Sequence, residues 1–245
     1  NHIYGIPKRN KGVIGASILR VFDLNCASVG LNDRPLIKEG INYSFVYSTF
    51  RDKVHDGKPI HLKLIFEVPT GQVLGGQVIG YGEITPRIHV ISTIISLKGS
   101  VYDLWDNELA YSPIYSTTKD ATNMAGALAV RILNGEYEKT SIAEVRPLVE
   151  EGKIFLDTRS KKAYEKGHIK NSINIPIGEL RERLEELPKD EEIRLNSYTA
   201  LRILQQRGFK KLFLVDGDFE DLCLYEYFRD ETEDREKIVT EYKFV

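Results

Sequence analysis

Glu108-Leu-Ala-Tyr-Ser-Pro-Ile-Tyr-Ser-Thr-Thr-Lys-Asp-Ala-Thr-Asn-Met-Ala-Gly126 opens as a stiff loop and closes as a helix. Pro113 fixes a non-helical turn beside Tyr111, so the tyrosine is presented from a restrained segment. A tyrosine offers an apolar face together with an O–H group. Lys119 adds a mobile point charge suited to a phosphate or carboxylate. Asp120 is a predicted N-cap. Beyond it, Met124, Leu128 and Ile132 form one apolar row and Ala125, Ala129 and Leu133 an adjacent one, with Gly135 placed to stop the helix.

Upstream, the run Val13–Phe22 reads as a buried strand. Ile60–Val68 partly alternates, with Leu62, Leu64 and Phe66 on one face. Thr70-Gly71 breaks the chain and Gln72–Gly80 returns, which predicts an antiparallel hairpin. Pro86 marks a helix start, followed by Ile88, Ile91, Ile94 and Ile95 at helical spacing. Composition changes near Gly135–Ser141. Beyond it, Lys153–Thr158, Ser172–Pro176 and Lys211–Asp216 read as strands, alternating with helices predicted over Ser160–Lys166, Gly178–Leu187 and Thr199–Gly208. That alternation predicts a small parallel α/β domain. Tyr225–Val245 is rich in Glu, Asp and Arg and reads as a solvated helix or frayed end.

The chain has 245 residues, enough for one large domain or two small ones. A formal net charge of -2 gives no electrostatic argument for nucleic acid. No apolar run is long enough to cross a bilayer. The start, Asn1-His-Ile-Tyr-Gly-Ile-Pro-Lys-Arg9, lacks the apolar core of a signal peptide. Cys26 and Cys223 are far apart and form no CxxC, and His2, His55, His61, His89 and His168 show no metal-ligand spacing. A reduced, cytoplasmic setting follows as the default.

Several segments in one order, Gly12–Ile18, Val21–Leu24, Ala27–Leu31, Leu62–Phe66, Gly71–Gln77, Pro86–Ile91 and the opening stretch, resemble a dimerisation domain. It is that of flavin-dependent coenzyme A-disulfide reductases and related NADH oxidases and persulfide reductases. The resemblance covers residues 1–137. It implies an α+β domain, an antiparallel sheet with helices, that completes an active site on the partner subunit of a homodimer. It implies FAD, NAD(P)H and coenzyme A as cofactors and substrate, with FAD held mainly by a portion outside these residues. It carries two roles over: Tyr111 against the partner's flavin and Lys119 near coenzyme A. Two departures stand out. The family's His-Ala-x-Tyr-Tyr-Pro-Gly run is replaced by Phe50-Arg-Asp-Lys-Val-His-Asp-Gly57, which removes a second substrate-facing tyrosine. Thr85-Pro86-Arg-Ile-His89 replaces Asp-Lys-Arg-Ile-Asp, and His89 reads as an ordinary helix histidine.

Leu156-Asp-Thr-Arg-Ser160 and Tyr164-Glu-Lys-Gly-His-Ile-Lys-Asn-Ser-Ile-Asn-Ile-Pro176 resemble a rhodanese homology domain, over 141–225, with 226–245 as a charged tail. That fold moves sulfane sulfur through a persulfide on a loop cysteine. Here Ile193 is followed at once by Arg194-Leu-Asn-Ser-Tyr-Thr-Ala200, so the central strand and the cysteine loop both read as missing. Two readings stand: a stretch of the parent protein left out of this sequence, or a degraded, non-catalytic domain. Cys223 is a poor replacement, since apolar and acidic neighbours raise a thiol pKa. Asp157, Arg159 and His168 read as structural. No catalytic residue is therefore assigned within the chain. The resemblances imply part of a reductase of coenzyme A disulfide, a persulfide or a polysulfide, a sulfur-containing small molecule in each case. The alternatives are a non-catalytic dimerisation and sulfur-carrier docking module, or an NADH oxidase.

Overall fold

The computed structural model describes Gly5 and residues 12–244. Apart from Gly5, the segment Asn1–Arg9, which includes His2, lies outside the described residues. The chain divides into two compact units, Asn1–Val46 with Phe50–Val130 and Tyr47–Thr49 with Arg131–Val245.

The first unit is a five-stranded antiparallel sheet with helices. Its strands are β1 (Ser17–Val21), β2 (Leu24–Gly30), β3 (Tyr43–Arg51), β4 (Pro59–Glu67) and β5 (Val73–Gly80), in the order β1-β2-β5-β4-β3. A short α1 (Asp33–Lys38) follows β2. The predicted hairpin is β4–β5, with Leu62 opposite Val78 and Leu64 opposite Gly76. Leu62, Leu64 and Phe66 are fully buried. Helix α2 (Thr85–Ser96) begins at Pro86 as predicted and buries Ile88 and Ile91. It lies so close to the sheet that a Cβ on Gly76 would meet Ile91 Cδ1 at 2.9 Å. A capping box, with Ser100 and Asp103 satisfying each other's backbone, starts α3 (Val101–Asp106). Helix α4 (Ala121–Leu133) completes the unit.

One expectation for this unit is corrected. The run Val13–Phe22 is not a buried strand: all of β1 is exposed, and the chain turns at Phe22–Asp23 into β2. As the sheet's edge strand, β1 pairs only with β2 and has no covering layer among the described residues, which a short apolar run cannot reveal. On α4 the alanine row faces the core, whereas Met124 is 37% exposed. Helices α3 and α4 approach closely at Gly126, where a Cβ would stand 2.7 Å from Trp105 N.

The second unit is a parallel five-stranded sheet with helices on both faces. In chain order it comprises β6 (Glu138–Thr140), α5 (Ile142–Glu150), β7 (Ile154–Asp157), α6 (Lys161–Glu165), β8 (Ile173–Asn174), β9 (Ile193–Leu195), α7 (Tyr198–Gln206), β10 (Leu212–Val215) and α8 (Phe219–Glu233). The strand order is β6-β10-β9-β7-β8. One core gathers Leu156, Leu195, Leu201 and Leu204 on the α7 side. The other gathers Val145, Phe155, Phe219, Leu222 and Cys223 against α5 and α8. Burial on both faces is what makes these strands short apolar runs without alternation.

Three expectations change here. The central strand is present: Ile193–Leu195 lies between β10 and β7, with Arg194 opposite both Phe213 and Phe155. Gly178–Leu187 forms successive turns and a 3-10 turn at Leu184–Glu186, not an α-helix. The segment is too short to hold a helix alone, and burial of Leu180 and Leu187 dictates its path instead. The charged tail is solvated only in part: most of its residues are exposed, but Glu226, Asp230, Ile238 and Val239 are buried. Arg146 of α5 and Arg235 pair with both Glu226 and Asp230, a neutralisation set by residues distant in sequence.

Candidate functional site

Residues 107–120 form the irregular connection between α3 and α4, and several bonds hold it still. The backbone N–H groups of Tyr115 and Ser116 both donate to Ser112 O at 2.9 Å, closing a turn around Pro113. Val54 N donates to Ser116 O and His55 N to Pro113 O, at 3.2 and 2.8 Å. Thus the Phe50–Gly57 stretch, where the family pattern is lost, backs the loop that carries Tyr111. The Asn123 side-chain amide donates to Leu104 O and Asn107 O, both at 2.9 Å, and fixes where the loop leaves α3.

The loop borders a cavity of about 430 Å³ lined by Arg87, Asn107, Tyr115, Thr118, Lys119 and Asp120 among others. Lys119 is exposed at its edge, and no carboxylate pairs with its ammonium among the described residues. Tyr111, 47% exposed, rides on the same loop but is not part of the lining. The two predicted residues therefore share an element, and only Lys119 reaches the cavity. Tyr115, two residues beyond Pro113, does line it and escaped the sequence reading.

Beneath Lys119 lies a cluster that the sequence reading also missed. Asp120 caps α4 as predicted, its Oδ1 accepting from Thr122 N at 3.1 Å. Its Oδ2 meets Arg87 Nη2 at 2.6 Å, and Arg87 is only 2% exposed. Arg87 also donates to Asp52 O at 2.5 Å and to Glu83 O at 2.9 Å, and its buried Nε has no partner among the described residues. The Asp52 carboxylate accepts from Lys58 N at 2.7 Å and from Glu83 N at 2.8 Å. A signal was present: Asp52 and Asp120 each stand beside a lysine, yet only the fold shows that one buried arginine joins them. His89, two residues past Arg87, is exposed on α2.

The arrangement suits one half of a polar ligand's site. Lys119 supplies a cation free to meet a phosphate, Asn107 and Thr118 supply polar groups, and Tyr115 supplies an aromatic wall. No group of His, Cys, Asp and Glu that could hold a metal ion occurs among the described residues.

In the second unit, the residues read as structural hold loops together. Asp157 accepts from Arg159 Nε and Nη2 at 2.9 and 2.5 Å, and Arg159 also donates to Gly167 O. The His168 ring stacks on Tyr164 at 3.7 Å between centroids. Between β9 and α7 only Asn196 and Ser197 intervene. Asn196 Oδ1 accepts from Thr158 N and Oγ1 at 3.2 and 2.9 Å, and Ser197 caps α7 through Ala200 N. Cys223 is fully buried, and burial raises its thiol pKa.

Residues 17–122 match the family described as pyridine nucleotide-disulphide oxidoreductase, dimerisation domain, and residues 141–224 match the rhodanese-like domain. A coenzyme A disulfide reductase of Staphylococcus epidermidis is 31% identical over 121 residues, 47% of this chain and 27% of that protein. The Bacillus anthracis CoADR-RHD structure superposes with a TM-score of 0.87 at 36% identity, covering 94% of this chain and 42% of that one. A NAD-dependent persulfide reductase from A. fulgidus gives 0.81 at 33% identity, covering 89% and 41%. The chain thus spans roughly a quarter of the curated relative and two fifths of the solved structures. No helix among the described residues is long and apolar enough to cross a membrane. The chain thus joins an antiparallel α+β unit that matches the pyridine nucleotide-disulphide oxidoreductase dimerisation domain to a parallel α/β unit that matches the rhodanese-like domain.

Proposed function

We propose that this chain is the dimerisation and rhodanese-like portion of an FAD-dependent, NAD(P)H-using reductase. Its substrate is coenzyme A disulfide, a persulfide or a polysulfide, and it works as a cytoplasmic homodimer. The observation that carries this reading is the restrained 107–120 loop, which presents Tyr111 outward and sets Lys119 at the mouth of a polar cavity. FAD, when bound by the rest of the parent protein, supplies the electron transfer. In this chain Tyr111 would supply a wall against the partner's flavin, and Lys119 would bind a phosphate of coenzyme A.

The test is Lys119→Ala in the flavoprotein that contains this chain. KM for the coenzyme A substrate should rise about tenfold with kcat within twofold, as for loss of a contact made equally in ground and transition states. An unchanged KM would remove coenzyme A from Lys119.

A second reading concerns the rhodanese-like domain alone. Asn196 and Ser197 fill the strand-to-helix connection, and the unit's only described thiol is buried. This favours a domain that docks sulfur carriers without forming a persulfide of its own. With thiosulfate and cyanide, the chain should produce thiocyanate at the buffer rate. Turnover that disappears in a cysteine-free variant would overturn this.

A further inference from the structure

We infer that Arg87 and Asp120 form a positioning pair that holds the Lys119 turn at the cavity, an inference that rests on Lys119 contacting substrate. A lysine side chain has four flexible carbons, so the fold can fix only where its backbone stands. That backbone is fixed from both sides. On one side Thr117 Oγ1 donates to Lys119 O at 2.7 Å. On the other, Asp120 divides its carboxylate between two tasks: Oδ1 caps α4, and Oδ2 takes Arg87. Arg87 carries the restraint inward to Asp52 O and Glu83 O, on the segments that flank β4 and β5.

The energetics fit positioning better than stability. A buried ion pair is often no more stabilising than well-packed apolar side chains of the same volume, because desolvation opposes the charge attraction. This arrangement also leaves the buried Arg87 Nε without an acceptor among the described residues, a further cost. What the planar fork provides is direction: Nη1 and Nη2 together reach two carbonyls and one carboxylate that belong to three separate segments. Arg87 is a positioning residue that acts through Lys119.

Asp120→Asn separates the two tasks. Asparagine caps a helix about as well as aspartate, so α4 keeps its start while the charge held by Arg87 is lost. In the flavoprotein, Asp120→Asn should raise KM for the coenzyme A substrate about tenfold with kcat within twofold. In a Lys119→Ala background it should raise KM no further. Arg87→Lys keeps the charge but loses the fork, and should raise KM about threefold. Circular dichroism melting establishes that each variant is folded at the assay temperature, and Arg87→Lys decides if Asp120→Asn is not. A folded Asp120→Asn with wild-type KM would overturn the positioning role. So would a further tenfold rise on top of Lys119→Ala, because the pair would then act independently of the lysine. A wild-type KM for Lys119→Ala alone would instead overturn the substrate contact beneath the inference.

Discussion

Arg146→Ala should lower the stability of the second unit by about 3–5 kcal/mol, the usual effect of removing one partner from a buried ion pair. Arg146 Nε and Nη2 reach Glu226 and Asp230 at 2.6 and 2.5 Å, and the two acidic side chains are only 2% and 1% exposed. Burial opposes the charge on Arg146, yet the bonds to these carboxylates hold its pKa above the ordinary arginine value. Without it, two carboxylates inside α8 would share the partly exposed Arg235 alone. Lost charge attraction would then outweigh any gain in side-chain freedom, which is worth at most about 2 kcal/mol for an arginine. Arg183→Ala is the control, since its pairs with Glu179 and Glu186 are half exposed and such pairs contribute about 0–1 kcal/mol. Urea unfolding followed by circular dichroism compares the two. Equal midpoints for the two variants would show that the buried network contributes nothing beyond a surface pair.

Gly126→Val should destabilise the first unit by at least about 3 kcal/mol, despite replacing the poorest ordinary helix former in a helix interior. Helix propensity alone favours the change, since glycine lies about 1 kcal/mol below alanine and valine by less. Space forbids it. A Cβ at Gly126 would stand 2.7 Å from Trp105 N and 2.9 Å from Val101 O, both backbone atoms of α3, and 3.0 Å from Leu104 Cβ. Backbone of a capped helix cannot swing aside as a side-chain tip can, so α3 and α4 would have to separate. Overpacking of this kind costs about 1–3 kcal/mol for added methylenes, and valine adds three carbons. Separation would also break the Asn123 bonds to Leu104 O and Asn107 O that hold the candidate site. The emission of the single tryptophan, Trp105, reports on that contact directly. A variant with the parent's thermal midpoint and unshifted emission would contradict the close α3–α4 packing.

Much of the architecture was readable from local pattern. Period-two alternation at Leu62, Leu64 and Phe66 marked β4, and Pro86 marked the start of α2. Asp120 was identifiable as a cap because the side-chain-to-backbone bond spans only two residues. The same logic failed where the partner is remote. Glu226 and Asp230 look solvated until Arg146, eighty and more positions away, is folded against them. Val13–Phe22 looks buried because the run is apolar, but its position at the sheet edge decides its exposure. The central strand β9 seemed absent because three residues of it suffice between two parallel neighbours, too few for any periodicity to register.

The candidate site divides in the same way. The loop chemistry is written in the local residues: Pro113 beside Tyr111, Lys119 before a capped helix, and no thiol in the β9–α7 connection. Those properties depend on residue type and on neighbours within a few positions. Folding alone brings Lys119 to a cavity while Tyr111 stands outside its lining, and lets Arg87 tie Asp120 to the backbone of Asp52. The physical reason is that a buried charge must find its counter-charge and hydrogen-bond acceptors wherever the packed chain brings them, and sequence distance places no limit on where that is.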